Sequence, residues 1–374
     1  MGKKLIVDGN LLGRKSFYKF RNLSTELKFD EAKGLSPSVA RTISSTLDKT
    51  VKAPYREKTS ESTGNKLVIS TKGDIDNRLD KVLKLSERHT IQTGVLYGML
   101  KSILAASKNY DADKVVICYD PPPIYKMQEN RPTPKRKALD VDYKVRKKDM
   151  STEMLFAVSL QLAQSFFYRL GITQVSTKTF EADDLLQRFT QHIFKDDDCL
   201  VLTNDHDLFQ LLEDDRVSLL RIGTNNPLYT AKDFTIEYGI NPSQWLDVQM
   251  IGGCPTDSVK GIPGISPDTA VKLMQKYGDI KRMFKKYKKN PYSTKVTNIL
   301  NKEAKNGFQN IRKAYSLVRL YGLHPKLEKE IMFSESDKSK SVRFRTSIEF
   351  LSILEFKSFL TKNGLKSLKS LIIK

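Results

Sequence analysis

Cys199-Leu200-Val201-Leu202-Thr203-Asn204-Asp205 is a short run of apolar and β-branched residues that ends on a carboxylate. Lys4-Leu5-Ile6-Val7-Asp8 and Lys114-Val115-Val116-Ile117-Cys118-Tyr119-Asp120 have the same form. Continuous apolar runs of this length fit strands buried on both faces of a parallel sheet. Weaker strands are expected over 174–179 and 217–222. Helical stripes lie between the runs: Val95, Leu96, Met99, Leu100, Ile103 and Leu104; then Leu155, Val158, Leu162, Phe166 and Leu170; then Leu185, Leu186, Phe189 and Ile193. Strands alternating with helices predict an α/β fold with a mostly parallel central sheet flanked by helices. Sites in such sheets form outside the carboxyl ends of the strands, where Asp8, Asp120 and Asp205 all fall.

Charge narrows the partner. The 374 residues include 64 Lys and Arg against 43 Asp and Glu, a formal net charge of +21. A field of that sign attracts polyanions: nucleic acid or an anionic membrane surface. No apolar run approaches the ~20 residues of a membrane span, and no amphipathic anchor stands out, so no membrane partner is expected. The first residues lead directly into an apolar run, so no signal peptide is expected. Cys118, Cys199 and Cys254 are scattered, with no C-x-x-C pair, which suits a reducing cytosol.

Acids within this basic chain carry the chemistry. Glu181-Ala182-Asp183-Asp184 opens a helix, Asp205-His206-Asp207 follows a strand, and Asp257 falls in the stretch Gly252-Gly253-Cys254-Pro255-Thr256-Asp257. Singly, each has a plain explanation, such as favourable acids in a helix's first turn. Together, Asp8, Asp120, Glu181, Asp183, Asp184, Asp205, Asp207 and Asp257 would repel one another on one rim unless cations joined them. Hard oxygen ligands suit Mg²⁺ or Mn²⁺, and two such ions form the clamp of many nucleases. His206 beside them reads as a surface turn residue. Neither G-x-S-x-G nor a P-loop is present, which disfavours serine hydrolysis and nucleotide hydrolysis.

Two further segments suggest a nucleic-acid grip. Gly261-Ile262-Pro263-Gly264-Ile265-Ser266-Pro267-Asp268-Thr269-Ala270 puts glycines before a helix with Ser266 as N-cap and Pro267 at its first position. Such a helix–hairpin–helix-type turn presents backbone N–H groups to a DNA phosphate. Residues 121–150 open on three prolines and carry Lys126, Arg131, Lys135, Arg136, Lys137, Lys144, Arg146, Lys147 and Lys148. This basic segment leaves the sheet just after Asp120 and is placed to clamp a single strand, with Tyr125 and Tyr143 stacking on bases. Residues 24–74 look like a flexible insertion, with a short strand at 66–71 and a helix at 75–83 after it. The organisation expected is an α/β core over 1–240 and a helical DNA-binding region over 241–374. That region holds the hairpin at about 250–278 and lysine-rich C-terminal helices.

In chain order the motifs are L-I-V-D-G-N (5–10), T-G-V-L-Y-G-M-L-K (93–101), V-V-I-C-Y-D (115–120), D-Y-K-V-R-K (142–147), E-A-D-D-L-L (181–186), L-T-N-D-H-D-L-F-Q-L-L (202–212) and D-S-V-K-G-I-P-G-I-S-P-D-T-A (257–270). The set resembles the flap endonuclease and 5′-exonuclease superfamily, particularly stand-alone bacteriophage 5′-nucleases and the 5′-nuclease domain of bacterial DNA polymerase I. The resemblance implies a PIN-like 5′-nuclease core with a helical arch over 121–150. It assigns Asp8, Asp120, Glu181 and Asp183 to a first Mg²⁺ or Mn²⁺, with Asp184 near both ions, and Asp205, Asp207 and Asp257 to a second. Lys144 with Arg146 or Lys147 would touch the scissile phosphate, beside Tyr143. Gly261, Gly264, Ser266, Thr269 and Lys272 would hold the DNA backbone; similar hairpins bind K⁺, an option left open for this one.

The implied substrates are DNA with 5′ flaps, nicks or free 5′ ends, with RNA-primed DNA as a further option. A monomer in a bacterial or phage-infected cytosol is expected, coupled to replication proteins in trans. The rivals are removal of RNA primers by the same site and a non-catalytic, structure-specific DNA-binding factor. Three departures stand out, one being the basic motif Y-K-V-R-K, which leaves the second partner of Lys144 open between Arg146 and Lys147. Cys254 occupies a position where the family often has a second-site carboxylate; a thiol is a poor Mg²⁺ ligand, and a buried structural cysteine is expected. Asp268 stands where the family often has a lysine.

Overall fold

The computed structural model describes residues 2–27, 89–121, 135–140, 143 and 150–373. The expected strand at 66–71, the helix at 75–83 and most of 121–150 lie outside the described residues. Of the segment read as an insertion, Ser24–Leu27 forms β2, which pairs antiparallel with β3, His89–Gln92, apart from the main sheet.

The main sheet contains β1 (Lys3–Asp8), β4 (Lys114–Cys118), β5 (Thr173–Ser176), β6 (Asp198–Thr203), β7 (Val217–Arg221), β8 (Leu228–Tyr229) and β9 (Met332–Ser334). Its order is β8-β7-β6-β1-β4-β5-β9. All three runs that end in carboxylates are central parallel strands: Leu5 lies opposite Val115 of β4 and Leu200 of β6. Only the outermost strands, β8 and β9, run antiparallel to their neighbours.

Both faces of the sheet are buried, and side-chain alternation divides them. Leu5, Val7, Val115, Ile117, Leu200 and Leu202 join one core, while Ile6, Val116, Cys118, Cys199 and Val201 join the other. From β1 the chain steps through β4 to β5 on one side, then returns to build β6 and β7 on the other. The direction of winding therefore reverses between β1 and β6. At such a switch point the loops at the carboxyl ends diverge and leave a crevice.

The C-terminal part departs from the expected organisation. Residues 332–373, expected as part of a helical DNA-binding region, pack on the α/β core. β9 pairs with β5 and covers its outer edge, which would otherwise expose unpaired backbone groups. The helices Lys340–Ile353 and Lys362–Ile373 bring Phe350, Leu351, Leu368 and Leu371 into the same core as Leu5 and Val7. Among the described residues, no helix is long and apolar enough to cross a membrane.

Candidate metal centre and nucleic-acid interface

Asp8 ends β1 and caps the helix Gly9–Lys19. Its Oδ1 accepts the Leu11 N–H at 3.0 Å, and its Oδ2 accepts the Thr203 hydroxyl at 3.0 Å from the end of β6. Thr203 Oγ1 in turn accepts the Asp205 N–H at 3.0 Å. The two strands at the switch point are thus stitched through a buried carboxylate. Burial pushes the pKa of Asp8 up to about 7, and the charges of Asp205 and Asp120 add to the rise against the hydrogen bonds from Leu11 and Thr203. Asp120 lies just past β4. Its N–H donates to Asn10 Oδ1 at 3.1 Å, and its Oδ1 accepts the Ala182 N–H at 3.0 Å.

That last bond joins β4 to the start of the helix Ala182–Arg188, which Glu181 caps. Asp183 is buried in its first turn. After burial itself, Asp8 and then Asp183 act to hold the Cys118 thiol protonated, which places both carboxylates near the end of β4.

Asp184 does not fit the role of metal ligand expected for it. It is 1 % exposed, and its Oδ1 accepts Arg136 Nη2 at 2.9 Å and the Tyr321 N–H at 2.8 Å. Its Oδ2 accepts Arg136 Nη1 at 3.2 Å and the Glu181 N–H at 3.1 Å. A carboxylate with four donors around it is committed to the fold. Arg136, grouped by sequence with a basic segment expected to clamp a single strand, is 3 % exposed and forms the core of this network.

Asp207, Cys254 and Asp257 form a second cluster, with one donor atom from each lying within 4.8 Å of the others. Asp205 caps the 3₁₀ helix His206–Glu213 by accepting the Asp207 N–H at 2.9 Å. Asp207 Oδ1 accepts Gln249 Nε2 at 2.5 Å, and Gln249 Oε1 accepts Gln210 Nε2 at 3.1 Å. Neither glutamine was singled out from sequence; Gln210, three residues after Asp207, was the available signal. Cys254 precedes the 3₁₀ turn Pro255–Asp257, and in a three-residue turn positions i and i+3 eclipse. Cys254 and Asp257 therefore share a face. Cys254 is buried as expected, but its Sγ lies 3.5 Å from Asp207 Oδ1. Burial, then Asp207, push its thiol up to about 12.

Tyr143 links the two groups of acids. Its hydroxyl lies 3.1 Å from Glu181 Oε2 and 3.0 Å from Asp257 Oδ2. At 2 % exposure the ring packs with Val259, Ala314 and Val318, so it cannot stack on a base as expected. Lys144, Arg146 and Lys147 lie outside the described residues.

The hairpin follows directly. Residues 254 and 259 form an antiparallel bridge, and the Ile262 N–H donates to Ile251 O at 2.7 Å. Gly261, expected to face DNA, is buried in this crossing; a Cβ on it would lie 2.2 Å from Ile251 O and 2.4 Å from Gly253 N. Its smallness serves packing. Gly264 is exposed at φ +92°, a conformation that favours glycine. Ser266 caps the helix Pro267–Tyr277 by accepting the Thr269 N–H at 3.2 Å. Lys272 is exposed on that helix, and His206 is exposed and stacked on Phe209.

A family model described as the 5′-3′ exonuclease N-terminal resolvase-like domain matches residues 78–239. A second, the 5′-3′ exonuclease C-terminal SAM fold, matches 240–335. A 5′-3′ exonuclease of Halalkalibacterium halodurans is 32 % identical over 126 residues, covering 33 % of this chain and 42 % of that protein. One from Bacillus subtilis is 30 % identical over 195 residues, covering 52 % and 62 %. The thermostable DNA polymerase I of Thermus thermophilus is 28 % identical over 271 residues, covering 72 % of this chain and 29 % of the polymerase. The chain thus spans less than two thirds of the length of each of these relatives. Among solved structures, the T5 D15 protein co-crystallised with metal ions shares the fold. The TM-score is 0.53 at 14 % identity, over 94 % of this chain and 99 % of that one.

Proposed function

The chain belongs to the 5′-3′ exonuclease family, and from that premise we propose that it hydrolyses DNA phosphodiester bonds at free 5′ ends and at the junctions of 5′ flaps. The observation that carries the proposal is the gathering of buried and half-buried carboxylates at the switch point. There the charges of Asp120 and Asp205 act on Asp8, and Glu181 and Asp183 enter from the next helix. Left alone, such a cluster is electrostatically unfavourable, and its oxygen donors suit hard divalent cations. Asp8, Asp120, Glu181 and Asp183 would hold one ion, and Asp205, Asp207 and Asp257 the other, with Mg²⁺ or Mn²⁺ in the first position. Bound there, the ions supply Lewis acidity toward the phosphodiester and the attacking water.

The protein's own contribution is to position and neutralise. Gln249 and Tyr143 orient Asp207 and Asp257 through hydrogen bonds, as outer partners of metal ligands do. Lys144, with Arg146 or Lys147, meets the charge that develops on the scissile phosphate. Gly264, Ser266, Thr269 and Lys272 lie at or after the hairpin turn, where helix N-terminal N–H groups and a cation favour phosphate. This grip reads no bases. Lys272→Ala is expected to weaken duplex binding uniformly across sequences and to lower the slope of log affinity against log salt by about 1. Fluorescence anisotropy over a salt series measures both; an unchanged slope would remove Lys272 from the interface.

The nuclease itself is tested by cleavage of a 5′-flap DNA and its RNA-flap twin over Mg²⁺ and Mn²⁺ titrations, with a chelator control. Metal-dependent cutting of the DNA near the junction is expected. Cutting of the RNA flap alone would reassign the site to primer removal. Tight binding without cutting at any metal level would make the protein a structure-specific binding factor.

A further inference from the structure

We propose that Cys254 is itself a metal ligand, and that Asp207, Cys254 and Asp257 form a mixed oxygen–sulfur position that selects a thiophilic divalent ion of the Zn²⁺ class over Mg²⁺. The inference rests on the metal-dependent nuclease proposed above and differs from it in making the two ion positions chemically unequal.

The thiol does more than pack: Cys254 Sγ donates to Asp207 Oδ1 and lies 2.9 Å from Thr256 Oγ1, so its proton occupies the place between sulfur and carboxylate that a shared cation would take on displacing it. The three donor atoms lie within 4.8 Å of one another. Ligands at about 2.3 Å for sulfur and 2.1 Å for oxygen, at a tetrahedral angle, are about 3.6 Å apart. Cys254 Sγ and Asp207 Oδ1 are 3.5 Å apart. The backbone enforces the approach: the bridge from Cys254 to Val259 fixes one end of the turn, and the 3₁₀ step brings Asp257 over the same face.

The carboxylates also carry the outer hydrogen bonds that orient metal ligands. Gln249 Nε2 donates to Asp207 Oδ1, with Gln210 behind it, and the Tyr143 hydroxyl meets Asp257 Oδ2. Softness then decides the ion. Thiolate ligands select Zn²⁺ and its neighbours, whereas Mg²⁺ demands oxygen and gives up its waters reluctantly. The position facing Asp8 and Asp120 has no sulfur donor in this set, so it keeps its preference for a hard ion.

Co²⁺ titration of the full chain tests this, because thiolate–Co²⁺ bonding gives a near-ultraviolet charge-transfer band independent of cleavage. The band is expected to saturate at one equivalent per chain. It should vanish in Cys254→Ser and persist in Asp120→Asn. Zn²⁺ affinity, measured by competition with a chelator, should fall about 100-fold or more in Cys254→Ser, at least the loss typical of removing an outer partner. Cys254→Asp should shift the same position toward Mg²⁺. Absence of the band, or equal Zn²⁺ affinity in wild type and Cys254→Ser, would overturn the proposal. Mg²⁺-dependent flap cleavage without the band would retain the nuclease and reject the sulfur ligand. The band without cleavage would retain the ligand and reject the nuclease.

Discussion

Asp8→Asn is expected to abolish most cleavage while making the metal-free protein more stable. The carboxylate is buried and faces the charges of Asp205 and Asp120, so without cations it works against folding. Asparagine keeps the shape, can still accept the Leu11 N–H as a good N-cap, and can meet Thr203 with its amide. Relief of the like charges should add about 1–2 kcal/mol, the usual scale of a stabilising substitution at a strained functional site. For a chain of this length that is about 1–3 °C in melting temperature.

In saturating metal the order should invert, because wild type gains binding free energy that the variant lacks. Cleavage should drop about 10³-fold or more, the equivalent of the several kcal/mol supplied by a bound Lewis acid. The pH dependence has a definite sign. The folded pKa of Asp8 is raised to about 7 from the ordinary 3.8, so its contribution is fully present below 3.8 and lost as pH rises through about 7. Metal-free wild type should therefore weaken over that window, and Asp8→Asn should lose this part of the slope. Melting curves in chelator and in Mg²⁺ across pH, with flap cleavage alongside, give all of these readings. A variant less stable than wild type in chelator, or one that still cuts with Mg²⁺, would make Asp8 a structural cap.

What sequence can reveal differs among these residues for physical reasons. Asp8, Asp120 and Asp205 are legible because an apolar run buried on both faces has to be a central strand. Where parallel strands end, a polar side chain has only the carboxyl-end rim to occupy. Glu181 and Asp183 are legible as acids at a helix start, but helical spacing gives a face and not a partner. The partner of Asp184 lies 48 residues upstream and looks like one more cation in a basic run. Only its being arginine rather than lysine hinted otherwise. Tyr143 and Gly261 were misassigned for the converse reason: both lie in motifs that face nucleic acid, yet one ring turns inward and one glycine serves a chain crossing. The return of residues 332–373 was illegible because β9 is three residues long, too short for a periodic signal.

Arg136→Met is expected to be among the most destabilising single changes in the chain, although sequence places it in a loop-like charge run. The guanidinium makes four hydrogen bonds and a further ion-pair contact. Nε donates to Leu317 O at 2.9 Å, Nη2 to Asp184 Oδ1 and to Arg319 O at 3.0 Å, and Nη1 to Asp184 Oδ2, with Glu181 Oε2 at 3.3 Å. Methionine fills the space but leaves Asp184 as a buried charge, a loss of about 3–5 kcal/mol. That corresponds to about 4–6 °C in melting temperature for a chain of this length. Arg136→Lys should be nearly as damaging, since one ammonium has three donors and no planar fork to span both carboxylates and two carbonyls.

Asp184→Asn separates this account from the metal-ligand assignment. As a member of the buried pair it should lower the melting temperature by a similar amount and leave Mg²⁺ stoichiometry intact. As a ligand it would lose an ion and keep its stability in chelator. The four donors already on its two oxygens favour the first result, because a metal would have to displace Arg136, and with it the contact that anchors Glu181 at the rim.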